Sequence, residues 1–434
     1  MTDPVASNGP ADAIRRAPFG ANPQVGARGQ RTRQRILDAA LHVFGEVGLH
    51  HGSVERIAKE AGCSRASFYQ YFADKDDVLR HLAGELSLQL DAAVAWFGTV
   101  TSDAEGWRAL HGLLERWAEI HHRHQAVFAA YPAMFEADPA FAQEATQARG
   151  RFVSAIAARV RGSDLPPAAV DGAVDLLIVV LARVLEDLGT LRHVAPESFP
   201  EAAALVALTD VVHRALFGLD RRINVHEHDL PAPPRLQFGP LVRSGLEQRP
   251  DRPSGDLATR AALLDAARSC FLEHGYHGTR IDTIAEAAGV SHGTLYTYFD
   301  SKDHVAQVLA MAAMRASTET LQNMPDVPPG AGGRAALRRW LGDYNRALAG
   351  ETAMIRVWGD ALRESGDPVA ESAPALDWGR RQIARHLAGR GFGDTELEAA
   401  VLLGLLSGLG ARERGPATLD TAALVIHRGF FGAD

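Results

Sequence analysis

The sequence predicts an all-α protein made of two tandem copies of one helical unit. Strand-like alternation is scarce, whereas apolar residues recur at helical spacing. Segments 174–188 and 396–411 are apolar almost all round, which is typical of helices buried in a core or against another helix. Residues 32–78 align without a gap to residues 259–305, and 21 of the 47 pairs are identical. A chain of 434 residues is also too long for one ordinary core.

Composition restricts the class of protein. No run of about 18 apolar residues exists, so we expect no membrane span, and the first residues lack the apolar stretch of a secretory signal. Two cysteines give no disulfide framework and fit a reducing cytoplasm. The net charge of −8 argues against a surface that is basic everywhere, but it allows a local basic face. Because phosphate-binding loops, nucleophile elbows and spaced Cys/His sets are missing, we expect neither an enzyme nor a cofactor or metal.

In each copy the repeated stretch predicts three helices, of which the third is short. In the first copy, an apolar stripe from Ile36 to Phe44 marks the first helix, which Gly48 ends. Ser53 is a candidate cap for the second helix, and Ser64 for the third. Two helices joined by a short Gly-containing turn and supported by a third form the helix-turn-helix pattern, which binds DNA.

The third helix of the first copy has an inner apolar face made by Phe68 and Phe72, and an unusual outer face. Small residues on that outer face allow the backbone to approach DNA closely, and Arg or Gln can form bidentate hydrogen bonds with base edges. Tyrosine hydroxyls and the Lys75 ammonium suit phosphate oxygens. A solvated helical hairpin with two surface tyrosines is the alternative, and the second copy makes it less attractive. The outer face comprises Arg65, Ala66, Ser67, Tyr69, Gln70 and Tyr71.

The succession AAxxxFxxxG, IAxxAGxS and YxYFxxKD resembles the DNA-binding domain of the tetracycline-repressor (TetR/AcrR) family of bacterial regulators. The resemblance covers about 47 residues in each copy. It implies a helix-turn-helix followed by helices that bind a small-molecule effector and dimerise through the last two helices. Carried over residue by residue, it gives two sets of DNA-binding candidates. The sets are Arg33, Ser53, Ser64, Arg65, Ala66, Ser67, Tyr69, Gln70, Tyr71 and Lys75, and Thr279, Arg280, Ser291, His292, Gly293, Thr294, Tyr296, Thr297, Tyr298 and Lys302.

The chain then looks like two such units fused head to tail. A second similar pair of segments, His213–Asp220 and His427–Asp434, ends each copy. Because its offset is 214 instead of 227, the second copy is shorter in its middle. We expect residues 174–217 to pack on 396–431 as a pseudo-dimer inside one chain, with further pairing of chains left open. The expected segments are a disordered basic arm at 1–27, a DNA-binding domain at 28–76, a regulatory domain at 77–220, a linker at 221–255, a second DNA-binding domain at 256–303 and a second regulatory domain at 304–434.

The two copies are not equivalent. Residues 28–80 hold nine Lys/Arg against seven Asp/Glu, whereas residues 255–307 hold four against seven. His292 stands where the first copy has Arg65, so the preferred half-sites should differ. Arg280 replaces the usual Ser/Thr, and we expect Thr279 to take over the cap while Arg280 reaches a phosphate. Six arginines and no acid in residues 13–37 suit a minor-groove arm or an ordinary basic tail.

The regulatory domains carry large side chains that suit either an effector cavity or a core. His121 and His124 share a helical face and suit either a metal or the negative end of a helix. The 226–229 segment HEHD suits a metal by composition, or a polar linker. Cys63, in the DNA-binding turn, suits a redox switch or a small buried apolar position, as Val290 does in the second copy. The pocket candidates are Trp107, Trp117, Phe128, Tyr131, Met134, Phe135, Trp340, Tyr344, Met354 and Trp358.

The sequence therefore predicts a cytoplasmic, sequence-specific regulator that binds a double-stranded DNA operator as a repressor released by a small molecule, with two unequal recognition helices reading an imperfect palindrome. One alternative keeps DNA reading in the first copy alone, in a homodimer of chains, and gives the second copy a structural, sensing or protein-binding role. Another is a scaffold that has lost DNA binding.

Overall fold

The computed structural model describes residues 27–194, 200–218, 257–365, 368–388, 393–410 and 414–432. These residues are helical apart from short loops and one isolated bridge between Val100 and Val160, so the predicted all-α class is confirmed. The expected linker, its HEHD segment and nearly all of the expected arm lie outside the described residues. None of the described helices is long and apolar enough to cross a membrane.

Seventeen α-helices and one π-helical segment make up this described part. The first copy contains α1 (Ala27–His51), α2 (Val54–Glu60), α3 (Arg65–Tyr71), α4 (Lys75–Trp96), α5 (Ala104–Ala137), α6 (Pro139–Ala157), α7 (Pro167–Val194) and α8 (Glu201–Phe217). The second contains α9 (Leu257–Gly278), α10 (Ile281–Ala287), α11 (His292–Tyr298), α12 (Lys302–Gln322), α13 (Ala331–Leu348), α14 (Glu351–Ser365), α15 (Pro368–Leu387), α16 (Thr395–Gly410), α17 (Pro416–Ile426) and the π-helical segment His427–Phe431.

The chain divides into two compact units. One consists of residues 1–92 and 119–148, and the other of residues 93–118 and 149–434. The first unit holds the first helix-turn-helix, and Arg123 of α5 donates to Asp38 of α1 at 3.1 Å. The second unit holds the second helix-turn-helix, whose core includes Met354 and Val357 of α14. In each unit a regulatory helix therefore packs on the DNA-binding domain.

The repeat continues in the structure beyond the stretch that is obvious in the sequence. Gly106 lies so close to Thr101 that a Cβ atom would collide with that residue's backbone, and Gly333 lies equally close to Pro328. Both pairs keep the offset of 227. The ends of the two copies also contact these loop residues in the same way. His213 bonds the Thr101 carbonyl at 2.8 Å, and His427 bonds the Pro328 carbonyl at 3.1 Å.

The copies diverge in the middle of the regulatory domain. In the first copy α5 runs on through a kink at His124, where φ is −110° and ψ is 18°. In the second copy the helix breaks, and Gly350, at φ 83°, separates α13 from α14. A glycine at positive φ ends a helix at no steric cost. The single kinked helix α5 thus corresponds to the pair α13 and α14.

Within the second unit, helices of the two copies pack on each other. α7 contacts α15, α16 and α17, while α8 contacts α16, α17 and the π-helical segment. Gly404 of α16 lets Val184 of α7 approach so closely that a Cβ atom would collide with it. Arg214 of α8 donates to the Gly429 carbonyl at 2.9 Å and to the Glu398 carboxylate at 2.5 Å. The expected packing of 174–217 on 396–431 is therefore present among the described residues of this unit.

Candidate nucleic-acid interface

The turn of each helix-turn-helix is fixed by one glycine. Gly62 has φ 62° and Gly289 has φ 69°, in the left-handed region that glycine enters without steric cost. The next residue closes the turn in both copies. The Cys63 amide donates to the Ala58 carbonyl at 2.9 Å, and the Val290 amide donates to the Ala285 carbonyl at 3.0 Å. The angle between the second and third helices therefore rests on backbone geometry that the two copies share.

The inner faces of α3 and α11 hold these helices in place. Phe68 and Phe72 are fully buried in the first copy, as Leu295 and Phe299 are in the second. Burial of a side chain of this size contributes roughly 1.5–3 kcal/mol. With its inner face held in the core, each third helix keeps its opposite face in solvent.

Serine side chains begin three of the four short helices. Ser53 accepts from the Arg56 amide at 3.2 Å, and Ser64 accepts from the Ser67 amide at 3.1 Å. Ser291 accepts from the Thr294 amide at 3.1 Å. Such caps satisfy amides at the helix start that have no partner within the helix. At the start of α10, Arg280 supplies no side-chain cap.

The outer face of α3 is open in the first copy. Arg65, Ala66 and Gln70 are exposed, and Tyr69 is 44 % exposed, whereas Ser67 and Tyr71 are half-buried. The Arg65 guanidinium has no ion-pair partner among the described residues. Its donors and the Gln70 amide are therefore available for base edges.

In the second copy, the matching face of α11 is partly engaged with itself. His292 Nε2 lies 2.9 Å from a carboxylate oxygen of Asp282, and the His292 ring packs edge-on against Tyr296 at 4.8 Å. Arg280 approaches the same carboxylate at 3.9 Å. Gly293 and Thr297 are exposed, and Thr294 and Tyr298 are half-buried. The residue that replaces Arg65 thus already has an acidic neighbour.

One sequence prediction about this interface is wrong, whereas the DNA contact of Arg33 stays a prediction. Thr279 does not cap α10: it is 2 % exposed, and its hydroxyl donates to the Gly275 and Cys270 carbonyls at 2.7 and 3.1 Å. A buried hydroxyl that ties down the end of α9 cannot reach DNA. Arg33 lies over the Phe72 ring at 5.7 Å and pairs with Glu85, and Arg260 lies over Phe299 at the same distance. This arginine closes the domain core in both copies.

The two lysines assigned to phosphate have a structural contact. Lys75 donates to the Leu49 carbonyl at 3.0 Å, and Lys302 donates to the Tyr276 and Thr279 carbonyls at 2.8 and 3.1 Å. An ammonium group there satisfies carbonyls at the end of the first helix of each copy. An ammonium has three donors, so an additional phosphate contact stays a prediction.

Part of the charge difference between the copies lies on their second helices. Arg56 and Lys59 of α2 are exposed, while the second copy has Thr283 and Glu286 in their places. Together, α2 and α3 carry three basic and two acidic side chains, whereas α10 and α11 carry two acidic side chains and no Lys or Arg. The aligned repeat already shows this difference, at positions that the family motif leaves variable or does not include.

An apolar cavity of about 50 Å³ lies in the regulatory part of the first copy, within the second unit. Of the ten pocket candidates it includes Trp117 alone. The candidates are mostly aromatic residues, whereas the cavity walls are mostly aliphatic. They are formed by Val100, Leu110, Leu113, Leu114, Trp117, Phe152, Ile156, Val160, Val174, Leu181, Leu208, Val212 and Leu216.

The other pocket candidates lie elsewhere. Trp107 donates to Asp210 at 2.8 Å, within the second unit. In the first unit, Phe128, Tyr131 and Phe135 pack ring on ring, and burial raises the pKa of Tyr131 to about 12. Met134 is buried in that unit. The candidates of the second copy are core residues, since Trp340 and Tyr344 pack together and Met354 and Trp358 belong to apolar clusters with α12.

His121 and His124 lie at the kink of α5, where two helical stretches meet at the non-helical backbone of His124, so the dipole interpretation stays a prediction. Both are buried, and burial lowers the pKa of each to about 4. Neither His121 nitrogen has a hydrogen-bond partner among the described residues, and its ring stacks on Phe128 at 5.0 Å. Within the described ranges, no three His, Cys, Asp or Glu side chains are grouped as a metal would need.

Cys63 is half-buried, and burial raises the pKa of its thiol. A raised pKa lowers the fraction of reactive thiolate at neutral pH. This position therefore favours the packing interpretation over the redox switch.

Comparison with known proteins identifies the repeated domain. Residues 36–82 and 263–309 each match the family of bacterial regulatory proteins called the tetR family. The chain is 36 % identical over 83 residues to the HTH-type transcriptional regulator BetI of Proteus mirabilis (strain HI4320), which is 19 % of this chain and 41 % of that protein. It is 40 % identical over 70 residues to the regulator AcrR of Shigella flexneri, which is 14 % of this chain and 33 % of the relative.

These alignments span about two-fifths or less of each relative. The family match likewise covers the two DNA-binding domains and not the regulatory helices that follow them. Together with the duplicated helix-turn-helix geometry, these matches show that this chain carries the DNA-binding domain of the tetR family of bacterial regulatory proteins twice.

Proposed function

We propose that this protein is a cytoplasmic transcriptional repressor that binds a double-stranded DNA operator and is released by a small-molecule effector. The observation that carries the proposal is the repeated helix-turn-helix, with its buried inner face and its exposed outer face in both copies. A recognition helix of this kind enters the major groove and contacts base edges with its outer side chains.

The two recognition helices read different half-sites. Arg65 and Gln70 offer bidentate donors for guanine and adenine, whereas His292 and Thr297 are shorter and offer fewer bonds. Exposed Arg56 and Lys59 add phosphate contacts that Thr283 and Glu286 do not provide. The operator is therefore an imperfect palindrome whose stronger half is bound by the first copy.

One chain supplies both halves of the usual dimer. The packing of α7 and α8 on α16, α17 and the π-helical segment supports an intrachain pseudo-dimer. The buried pair of Arg214 and Glu398 joins the two copies within this packing.

In vitro selection of DNA sites with the intact chain tests the proposal. Two unequal half-sites in fixed register are expected. Arg65→Ala should relax base preference in one half-site, and His292→Ala should relax it in the other. Weak binding without sequence preference, which falls steeply with salt, would overturn the proposal in favour of a scaffold.

A second candidate function rests on the contact between His292 and Asp282 and on the acidic surface of α10 and α11. In this second candidate function, two chains form a homodimer and only the first copy of each chain reads DNA. The second copy then has a structural or sensing role. The same selection separates the two functions, because this arrangement yields a perfect palindrome that His292→Ala leaves unchanged.

A further inference from the structure

The cavity of the first copy is bounded by one face of α5. Leu110, Leu113, Leu114 and Trp117 follow the spacing i, i+3, i+4, i+7, so they form one stripe along that helix. The remaining walls come from α6, α7, α8 and the segments next to them, and every lining residue is apolar. The walls thus offer side chains for packing and no side-chain carboxylate, amide or hydroxyl for a polar ligand.

The same stripe recurs on α13 at the offset of 227. Leu337, Leu341 and Tyr344 occupy the places of Leu110, Leu114 and Trp117, and Trp340 occupies the place of Leu113. The register is secured by structure, since Gly106 and Gly333 make the same close contact seven residues before Leu113 and Trp340. The two copies therefore differ in the middle of the stripe.

Trp340 is larger than Leu113 and is held by contacts of its own. The indole is 6 % exposed, packs on Tyr344 at 5.2 Å and donates from Nε1 to the Thr320 carbonyl of α12 at 3.2 Å. On the last helix, at the offset of 214, fully buried Phe430 stands in the place of Leu216.

Smaller residues compensate for part of this added volume. Ala422 replaces Leu208, and Tyr344 replaces Trp117. The two sites therefore differ in shape as well as in size. In the second copy the largest side chain stands at the centre of the helical stripe.

We infer that the cavity of the first copy is a binding site for one small, uncharged, apolar molecule per chain, and that the second copy offers no equivalent site. The inference rests on the proposed function and names the chemical class and the number of effectors. A charged or strongly polar molecule would lose its bonds to water without replacement. The cavity has about a third of the volume of an apolar cavity of about 150 Å³ that holds benzene or xenon.

Xenon is a suitable first probe, because it is apolar and has no groups to orient. The intact chain, labelled with ¹³C in its Leu and Val methyl groups, is followed by NMR under increasing xenon pressure. The methyl groups of Val100, Leu110 and Leu114 are expected to shift along a saturable curve. Their counterparts in the second copy, Val327, Leu337 and Leu341, serve as internal controls and should stay unchanged.

Two exchanged substitutions complete the test. Leu113→Trp should abolish the shifts in the first copy. Trp340→Leu should produce a second set of shifts, at the methyl groups of Leu337 and Leu341. This gain of binding does not depend on whether Leu113→Trp folds. Circular dichroism and binding to the selected DNA check that each variant is intact.

Equal shifts in both copies of the unaltered chain, or shifts in neither, would overturn the inference. Persistence of the first-copy shifts in folded Leu113→Trp would also overturn it. A chain that selects specific DNA but gives no xenon shift disproves this inference alone. A chain that shows the xenon shifts but selects no DNA sequence disproves the proposed function alone.

Discussion

The two helix-turn-helix domains share their interior and differ on their surface. Ile57 and Ile284 are fully buried at matched positions, and an arginine covers the last phenylalanine ring at 5.7 Å in both copies. On the outer face, by contrast, Arg65 is open while His292 contacts Asp282. The residues that specify the fold are thus separate from those proposed to contact DNA, and one set can change while the other stays.

The helices through which the two copies contact each other, α8 and the π-helical segment, show the same kind of divergence. Arg214 and Arg428 are matched at the offset of 214, and both are buried. Arg214 meets Glu398, of which 4 % of the side chain is exposed, whereas Arg428 meets Asp164 at 2.6 Å, of which 61 % is exposed. One arginine neutralises a buried charge, and the other reaches toward solvent.

The largest expected effect follows from this difference. Arg214→Met should lower the free energy of unfolding by about 3–5 kcal/mol, because Glu398 stays buried without a partner. Burial already raises the pKa of Glu398, against the opposing effect of Arg214. Arg428→Met should cost about 1 kcal/mol, since Asp164 remains hydrated. Urea unfolding of both variants measures the difference.

Arg214→Met combined with Glu398→Met is the control, and most of the lost stability should return. Equal losses for Arg214→Met and Arg428→Met would show that the two ion pairs are equivalent in energy despite their different burial.

A pH effect should distinguish the two copies at the kink of α5. His121 and His124 have pKa values of about 4 when folded and about 6.5 when unfolded. Protons then bind the unfolded chain more readily, so stability is complete above pH 6.5 and falls as the pH drops toward 4. We expect a loss of about 2 kcal/mol for each histidine between pH 7.5 and pH 5.

Leu348, which is 1 % exposed, occupies the place of His121 at the offset of 227. His121→Leu should therefore fold and remove about half of this pH dependence. An unchanged pH profile of unfolding, recorded by intrinsic fluorescence, would rule out His121 as one of the titrating groups.

A smaller effect is expected on the affinity for DNA. Arg65→Ala should weaken binding to the selected operator by about 1–3 kcal/mol, because a bidentate contact with a base is lost. His292→Ala should cost less than about 1 kcal/mol, because its ring nitrogen already faces Asp282. Fluorescence anisotropy titrations at one fixed salt concentration compare the variants. A larger loss for His292→Ala than for Arg65→Ala would reverse the proposed order of the half-sites.

The smallest effect concerns helix capping. Ser53→Ala should cost about 1 kcal/mol, because the Arg56 amide loses its partner. Arg280→Ser should add up to about 1 kcal/mol, since α10 has no side-chain cap. Hydrogen exchange at the Arg56 and Thr283 amides provides the local readout. Faster exchange at Thr283 after Arg280→Ser would contradict the prediction.

Periodicity and repetition predict most of the fold. The buried faces led by Ile36, Phe68 and Phe72 follow directly from apolar spacing, and the serine caps follow from residue type. These features depend on local sequence, which is why they could be read along one helix at a time.

Contacts between residues that are distant in the sequence could not be predicted from it. Arg33 and Lys75 carry charges that suit DNA, yet their neighbours in space, the Phe72 ring and the Leu49 carbonyl, come from other helices. Thr279 was expected at the start of α10 but bonds back to α9. The cavity was missed because it arises from imperfect packing among five segments, which no single helix reveals.

The pair of Arg214 and Glu398 has a consequence for how this protein can change. In a dimer of identical chains, any substitution at the pairing surface is imposed on both halves at once. Here each side of the contact is encoded separately, so a change at position 214 can be answered at position 398 while residue 428 stays as it is. Dilution does not separate the two halves either, because both belong to one chain. A pair of separate subunits with modest affinity would, by contrast, dissociate at low concentration.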